Sequence, residues 1–135
     1  MSHHILVVED EPDINKTVSY NLANEGFHPL SALNLKEADD QLSSNNISLI
    51  ILDLMLPDGS GLDFCKTLKS SNIYKNIPVI IVTAKGDEVD KVVGFELGAD
   101  DYVTKPFSVR ELMLRIKAIL KSCLLYTSPS PRDRT

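Results

Sequence analysis

The chain has 135 residues and a mass of 15.0 kDa, room for one domain with a real core but not for two. Its 43% hydrophobic and 24% charged residues exclude disorder as the default, and a formal charge of −5 with a pI near 5.1 excludes a domain that grips nucleic acid through a basic face. Cys65 and Cys123, with no CxxC and no histidine cluster, make neither a disulfide framework nor a zinc site, and no apolar run approaches the roughly 18 residues of a membrane span.

Met1-Ser2-His3-His4 leads straight into a strand and is not a signal peptide, so the expected compartment is the reducing cytoplasm. His3 and His4 read as solvated terminal residues rather than a metal pair. The β-branched run Ile5-Leu6-Val7-Val8 predicts a first strand, bounded by Glu9-Asp10-Glu11. Asp13 is the expected cap of a helix with Ile14, Val18 and Leu22 inward, closed by Gly26. Phe27 to Ala32 is a weaker strand, and Leu35 to Leu42 a short acidic helix with Ala38 and Leu42 inward. Ile47 to Leu52 is too continuously apolar to have a wet face. Ser60 or Gly61 opens a helix using Leu62, Cys65 and Leu68, and Val79 to Val82 follows Pro78 as another doubly buried strand. Helix is expected from about Asp87 to Leu97, a short strand at Tyr102-Val103, and a strongly periodic helix from Val109 to Leu120.

Five tandem strand–helix units predict an open, doubly wound α/β fold: a five-stranded parallel sheet with five helices on its two faces. Ligands in such sheets bind outside the carboxyl ends of the strands. Those ends carry Glu9 and Asp10, Asp53, Thr83 and Ala84, and Thr104-Lys105-Pro106. Three carboxylates, a hydroxyl and a lysine therefore converge on one edge. Packed carboxylates must share a proton or a cation, and an all-oxygen set suits Mg²⁺, which favours phosphate-bearing partners. Lys105 would pair with phosphate oxygens, while the Thr83 hydroxyl and the Ala84 amide could hold another. These are the parts of a clamp for in-line phosphoryl transfer, with Asp53 as the natural acceptor.

Other chemistries fail on spacing. There is no GxxxxGK[ST], and Gly59-Ser60-Gly61 lacks the third glycine of a dinucleotide fingerprint. Met55 rules out an EF-hand starting at Asp53, and it stands where a DxD phosphatase needs its second aspartate. The site can accept a phosphoryl group but lacks an evident group for rapid turnover. It is expected to be no enzyme beyond its own phosphorylation and slow dephosphorylation.

The chain resembles the receiver domain of two-component response regulators, in the flavodoxin-like fold with strand order 2-1-3-4-5. The resemblance rests on four motifs in order: Leu6-Val7-Val8-Glu9-Asp10-Glu11, the stretch Leu52-Asp53-Leu54-Met55-Leu56-Pro57-Asp58-Gly59, Val82-Thr83-Ala84, and Gly98-Ala99-Asp100-Asp101-Tyr102-Val103-Thr104-Lys105-Pro106-Phe107. It implies that Asp53 receives phosphate from a phosphohistidine on a sensor histidine kinase. It also implies that Asp10 ligates Mg²⁺ directly, that Glu9 does so through an outer shell, and that Met55 contributes its backbone carbonyl. Lys105 would bind the phosphoryl group and precede a cis Pro106. Thr83 and Tyr102 would form a switch pair, the threonine moving to the phosphoryl oxygen and the ring filling the vacated space.

The dense charge from Lys85 to Lys121 fits the OmpR/PhoB subfamily, which dimerises through its fourth helix, fifth strand and fifth helix. Lys91 with Glu111, and Asp101 with Arg115, have the right signs for pairs between subunits. The receiver is expected over 1–121. Residues 122–135 read as a disordered tail, foreign sequence or a truncated linker, in place of a DNA-binding domain. Two functions of different class stand: the head of a transcriptional regulator that reaches DNA only through a missing C-terminal domain, or a stand-alone receiver that relays phosphate or docks proteins. An Mg²⁺-dependent hydrolase is weakened by Met55.

Overall fold

A computed structural model describes residues 3–84, 96 and 98–127, with the backbone only over 122–127. In chain order the elements are β1 (His4–Val8), α1 (Pro12–Asn24), β2 (His28–Ala32), α2 (Leu35–Ser44), β3 (Leu49–Asp53), β4 (Met55–Leu56), β5 (Gly59–Ser60), α3 (Gly61–Ser70), β6 (Val79–Ala84), β7 (Asp101–Lys105) and α4 (Val109–Thr127). The main sheet is parallel, in the order β2-β1-β3-β6-β7. This is the expected doubly wound topology, with the reversal of strand order at β1 and β3, where the carboxyl ends splay apart and leave a crevice. No described helix is long and apolar enough to cross a membrane.

Alternation along the strands divides the core in two. Leu6, Val8, Ile50, Leu52 and Ile81 pack with Ala38 and Leu42 of α2 and Cys65 and Leu68 of α3. Ile5, Val7, Leu49, Ile51 and Val82 pack on the opposite face with Val18 and Leu22 of α1 and Leu112 and Ile116 of α4. A strand between two helical layers has no wet face, which is why all five residues of β3 are buried.

Several local expectations are corrected. Asp13 does not cap α1: Glu11 is the N-cap and Pro12 opens the helix, its ring presetting φ for the first turn. The helix closes as expected at Gly26, whose φ of 91° allows its amide to reach the Ala23 carbonyl and the Phe27 amide to reach that of Leu22. His3 and His4 are half-buried; the His4 ring stacks on His28 with centroids 5.1 Å apart, and His3 Nδ1 lies 3.0 Å from Ser48 Oγ. The antiparallel pair β4–β5 is too short to leave a periodic signal. The final helix runs to Thr127, beyond the Lys121 boundary read from the sequence. The helix expected over 87–97 falls outside the described residues except for Glu96, which is helical, and residues 128–135 also lie outside them.

Candidate functional site

β1 and β3 are neighbours in register, Val8 opposite Leu52, so the residues that follow them emerge side by side. Glu9 and Asp53 are 4% and 5% exposed, whereas Asp10 projects into solvent. One carboxylate oxygen of each lies within 4.8 Å of the others. The three expected acids are therefore one cluster. β7 sits at the far side of β6, yet its last residue reaches back: Lys105 Nζ lies 2.8 Å from Glu9 Oε1, 3.0 Å from Asp53 Oδ2 and 3.9 Å from Glu11 Oε1. The Lys105–Pro106 bond is cis, as expected.

Backbone amides hold the acids in place. Met55 N–H donates to Asp53 Oδ1 at 3.1 Å, and Glu11 N–H donates to Glu9 Oε2 at 3.1 Å. Burial pushes the Glu9 carboxyl up to about 7 even though Lys105 and the Glu11 amide favour its ionised form; the Asp53 charge adds to the rise. Burial acting alone would lower the Lys105 ammonium, but its hydrogen bonds to Glu9 and Asp53 outweigh that and raise it. A lysine between two buried carboxylates stays charged.

Thr83 is buried one step beyond Val82, the residue opposite Asp53, and Ala84 stands opposite Lys105. Tyr102 is buried in the apolar layer with Val79, Ile81 and Ala99. The Met55 side chain is 73% exposed and, as a thioether, has no proton to give; its amide is the part that meets Asp53. Of the four residues expected on a dimer face, Lys91 lies outside the described residues, and the other three meet within one chain. Arg115 Nη1 is 2.8 and 2.7 Å from the two Asp101 carboxylate oxygens, and Nη2 is 3.0 Å from Glu111 Oε2.

Three further residues, none of them a site candidate from the sequence, hold the elements around the cluster. Asn15 is buried beneath the acid pair, and a polar side chain at the core spacing of Val18 and Leu22 is the signal that would have found it. Asp58 accepts the amides of Leu35 and Lys36 at the start of α2. Gly61 lets α3 begin directly against the Asp53–Leu54 backbone, where a Cβ would lie 2.3 Å from the Asp53 carbonyl oxygen.

Three hard carboxylates converging on an open, half-wet edge fit Mg²⁺, which prefers oxygen donors and retains water. Glu9, Asp10 and Asp53 are the residues that could hold it. Residues 5–117 match the family model of the response regulator receiver domain. The chain is 49% identical over 121 residues to the phosphate regulon transcriptional regulatory protein PhoB of Escherichia coli K12, covering 90% of this chain and 53% of that protein. It thus spans about half the length of the curated relatives it matches. Among solved structures it resembles the receiver domain of Francisella response regulator 1452, with a TM-score of 0.83, 34% identity and coverage of 90% of this chain and 99% of the other. It also resembles the non-phosphorylated HemR receiver domain of Leptospira biflexa, with a TM-score of 0.81, 28% identity and coverage of 98% and 100%. The chain belongs to the response regulator receiver domain family, whose members are signalling domains that bind Mg²⁺ at an acidic pocket.

Proposed function

We propose that this receiver domain is a cytoplasmic switch in which Asp53 accepts a phosphoryl group from the phosphohistidine of a sensor histidine kinase, and that the new charge alters a dimerisation face. The observation that carries the reading is the setting of Asp53: a buried carboxylate at the carboxyl end of the central strand, held between a lysine and an acid pair. In the transfer, an Asp53 oxygen bonds to phosphorus as the phosphorus–nitrogen bond breaks, and the leaving imidazole takes up a proton. Lys105 exchanges its bond to Asp53 for one to the incoming phosphoryl oxygens. The Thr83 hydroxyl and Ala84 amide supply further donors, and Tyr102 follows the movement of Thr83. Bound Mg²⁺, held by Glu9, Asp10, Asp53 and the Met55 carbonyl, would supply positive charge against the acid cluster and the phosphoryl oxygens.

A cavity of about 490 Å³ between α1 and the segment after β7 opens beside Lys105, with Ile14, Val18 and Phe107 in its wall. It suits the approach of a phosphodonor protein. The acyl phosphate persists because Met55 occupies the position from which a second carboxylate would activate water. Asp101, Glu111 and Arg115, with Lys91, would exchange their pairing between two protomers on phosphorylation. The output is read as transcriptional, in keeping with the name of the E. coli relative, of which this chain spans the receiver half.

Incubation with acetyl phosphate and Mg²⁺, followed by intact mass measurement, tests the acceptor. The wild-type chain gains one phosphoryl mass that hydroxylamine removes, and chelation of Mg²⁺ prevents the gain. If Asp53→Ala acquires the same hydroxylamine-labile increment, Asp53 is not the acceptor.

A further inference from the structure

Beneath the acid pair, one buried amide side chain joins the ends of two strands. Asn15 is 2% exposed, on the inward face of α1. Its Nδ2 lies 3.0 Å from the Glu9 carbonyl oxygen and 3.3 Å from those of Val7 and Ala32, so two amide protons serve three carbonyls. Its Oδ1 accepts from the hydroxyls of Ser31 at 2.7 Å and Ser19 at 3.3 Å. The same strand ends are joined by the Glu9 amide, which donates to the Ala32 carbonyl at 3.0 Å.

The chemistry of the position is narrow. Carbonyls at the carboxyl end of a parallel sheet run out of strand partners, and buried carbonyls left without a donor are costly. An apolar side chain would take this donor from the Glu9 carbonyl, which lies past the end of β1, whereas the Ala32 carbonyl would keep the Glu9 amide. A carboxylate would face them with negative charge. An asparagine meets both the carbonyls and the two hydroxyls, and in doing so it fixes the plane of the peptide that links Glu9 to Asp10. That peptide aims the two carboxylates.

We propose that Asn15 is the positioning residue of the Glu9–Asp10 acid pair: it holds the peptide between them so that their carboxylates converge with that of Asp53. It touches neither phosphate nor metal and acts through Glu9. The consequence for Mg²⁺ rests on the phosphoacceptor reading above, whereas the consequence for the loop itself does not.

The test compares Asn15→Ala with Leu22→Ala, a core truncation on the same helix that destabilises the fold without meeting the acid pair. Both are compared with the wild-type chain at a temperature where all are folded. Titration with MgCl₂, followed by calorimetry, gives a roughly 10- to 100-fold weaker affinity for Asn15→Ala and a wild-type affinity for Leu22→Ala. In metal-free protein the amides of Glu9 and Glu11 exchange with solvent several-fold faster in Asn15→Ala than in Leu22→Ala. Should Asn15→Ala not fold, Asn15→Ser, which keeps one hydroxyl donor, takes its place with a smaller loss in the same direction. Equal Mg²⁺ affinity for the Asn15 variant and the wild type, or an equal loss in Leu22→Ala, overturns the proposal. If the wild-type chain binds no Mg²⁺, the phosphoacceptor reading fails, and unchanged exchange at Glu9 and Glu11 then overturns the positioning role on its own.

Discussion

Lys105 holds Asp53 across the carboxyl edge of the sheet, Nζ to Oδ2 at 3.0 Å, although 52 residues of chain separate them. The same ammonium is 2.8 Å from Glu9 Oε1, so one cation serves two buried carboxylates. Removing it leaves both carboxylates without a cation and with only a backbone amide each. Lys105→Met is expected to lose about 3 kcal/mol of stability at pH 8 in urea unfolding without metal. At pH 6 the loss is smaller, because Glu9 takes up a proton. An equal loss at the two pH values would show that the lysine is not offsetting carboxylate charge.

The raised Glu9 carboxyl sets a pH window. Its folded value of about 7 lies above the ordinary 4.5, so between those values the native state holds a proton that the unfolded state has released. Native protein then binds more protons, and stability falls as pH rises from about 4.5 to 7, by up to about 3 kcal/mol, before levelling. Glu9→Gln, which mimics the protonated form, loses this slope and is at least as stable as wild type at pH 8. Urea unfolding midpoints across the range decide it; a Glu9→Gln profile parallel to wild type would refute the assignment. Saturating Mg²⁺ is expected to flatten the wild-type slope.

Gly61 is a matter of space rather than of turn geometry. A Cβ would fall 2.3 Å from the Asp53 carbonyl oxygen and 2.8 Å from Leu54 Cα, contacts that only backbone movement relieves. Gly61→Ala is expected to cost about 2–3 kcal/mol in urea unfolding and to slow phosphoryl uptake from acetyl phosphate, because the backbone that moves carries the proposed acceptor. Uptake at the wild-type rate would mean that the α3 entry does not control Asp53.

Asp58 caps a helix from outside it, accepting the Leu35 amide at 2.8 Å and the Lys36 amide at 3.0 Å. These hydrogen bonds, that of Leu35 foremost, hold its carboxyl below the ordinary 3.8. A lowered carboxyl contributes stability that is fully present above its unfolded value and is lost as pH falls through the folded one. Asp58→Ala therefore melts at a lower Tm than wild type at pH 7, and the two curves converge in strong acid. A gap of constant size would assign the effect to something other than the carboxylate.

Asp101 and Arg115 pair within the chain, and the guanidinium is raised further above its ordinary value, by Asp101 before Glu111. A dimer built on these residues must trade that pair for the same pair between protomers, a near-balanced exchange that a small conformational bias can tip. Arg115→Ala is expected to stay monomeric by light scattering after acetyl phosphate treatment while wild type dimerises, and the wild-type dimer to weaken in high salt. Phosphorylated Arg115→Ala that dimerises like wild type would rule these pairs out.

Much of the candidate site was legible because its signals are local. Val79 to Val82, and Ile47 to Leu52 apart from Ser48, announce doubly buried strands by their continuous apolarity, and the residue after each strand end must lie on the carboxyl edge. Asp13 reads as a cap because a polar residue stands before an apolar period; Pro12 overrides that signal through its fixed φ. The β4–β5 pair has no signal in the sequence because two residues per strand carry no period.

The sequence alone determined the layering, the strand ends and the set of chemical groups gathered there, since periods of 2 and 3.6 residues are properties of neighbouring positions. Tertiary structure alone decided who pairs with whom. Strand register brings Lys105 to both Glu9 and Asp53, and burial turns Glu9 into a group that titrates near neutrality. It also sets Asn15 beneath the acid pair, Asp58 at the foot of α2, and Arg115 against its own Asp101. Distances and desolvation between residues far apart in the chain exist only once the sheet is assembled, and those are the quantities that set charge and proton affinity.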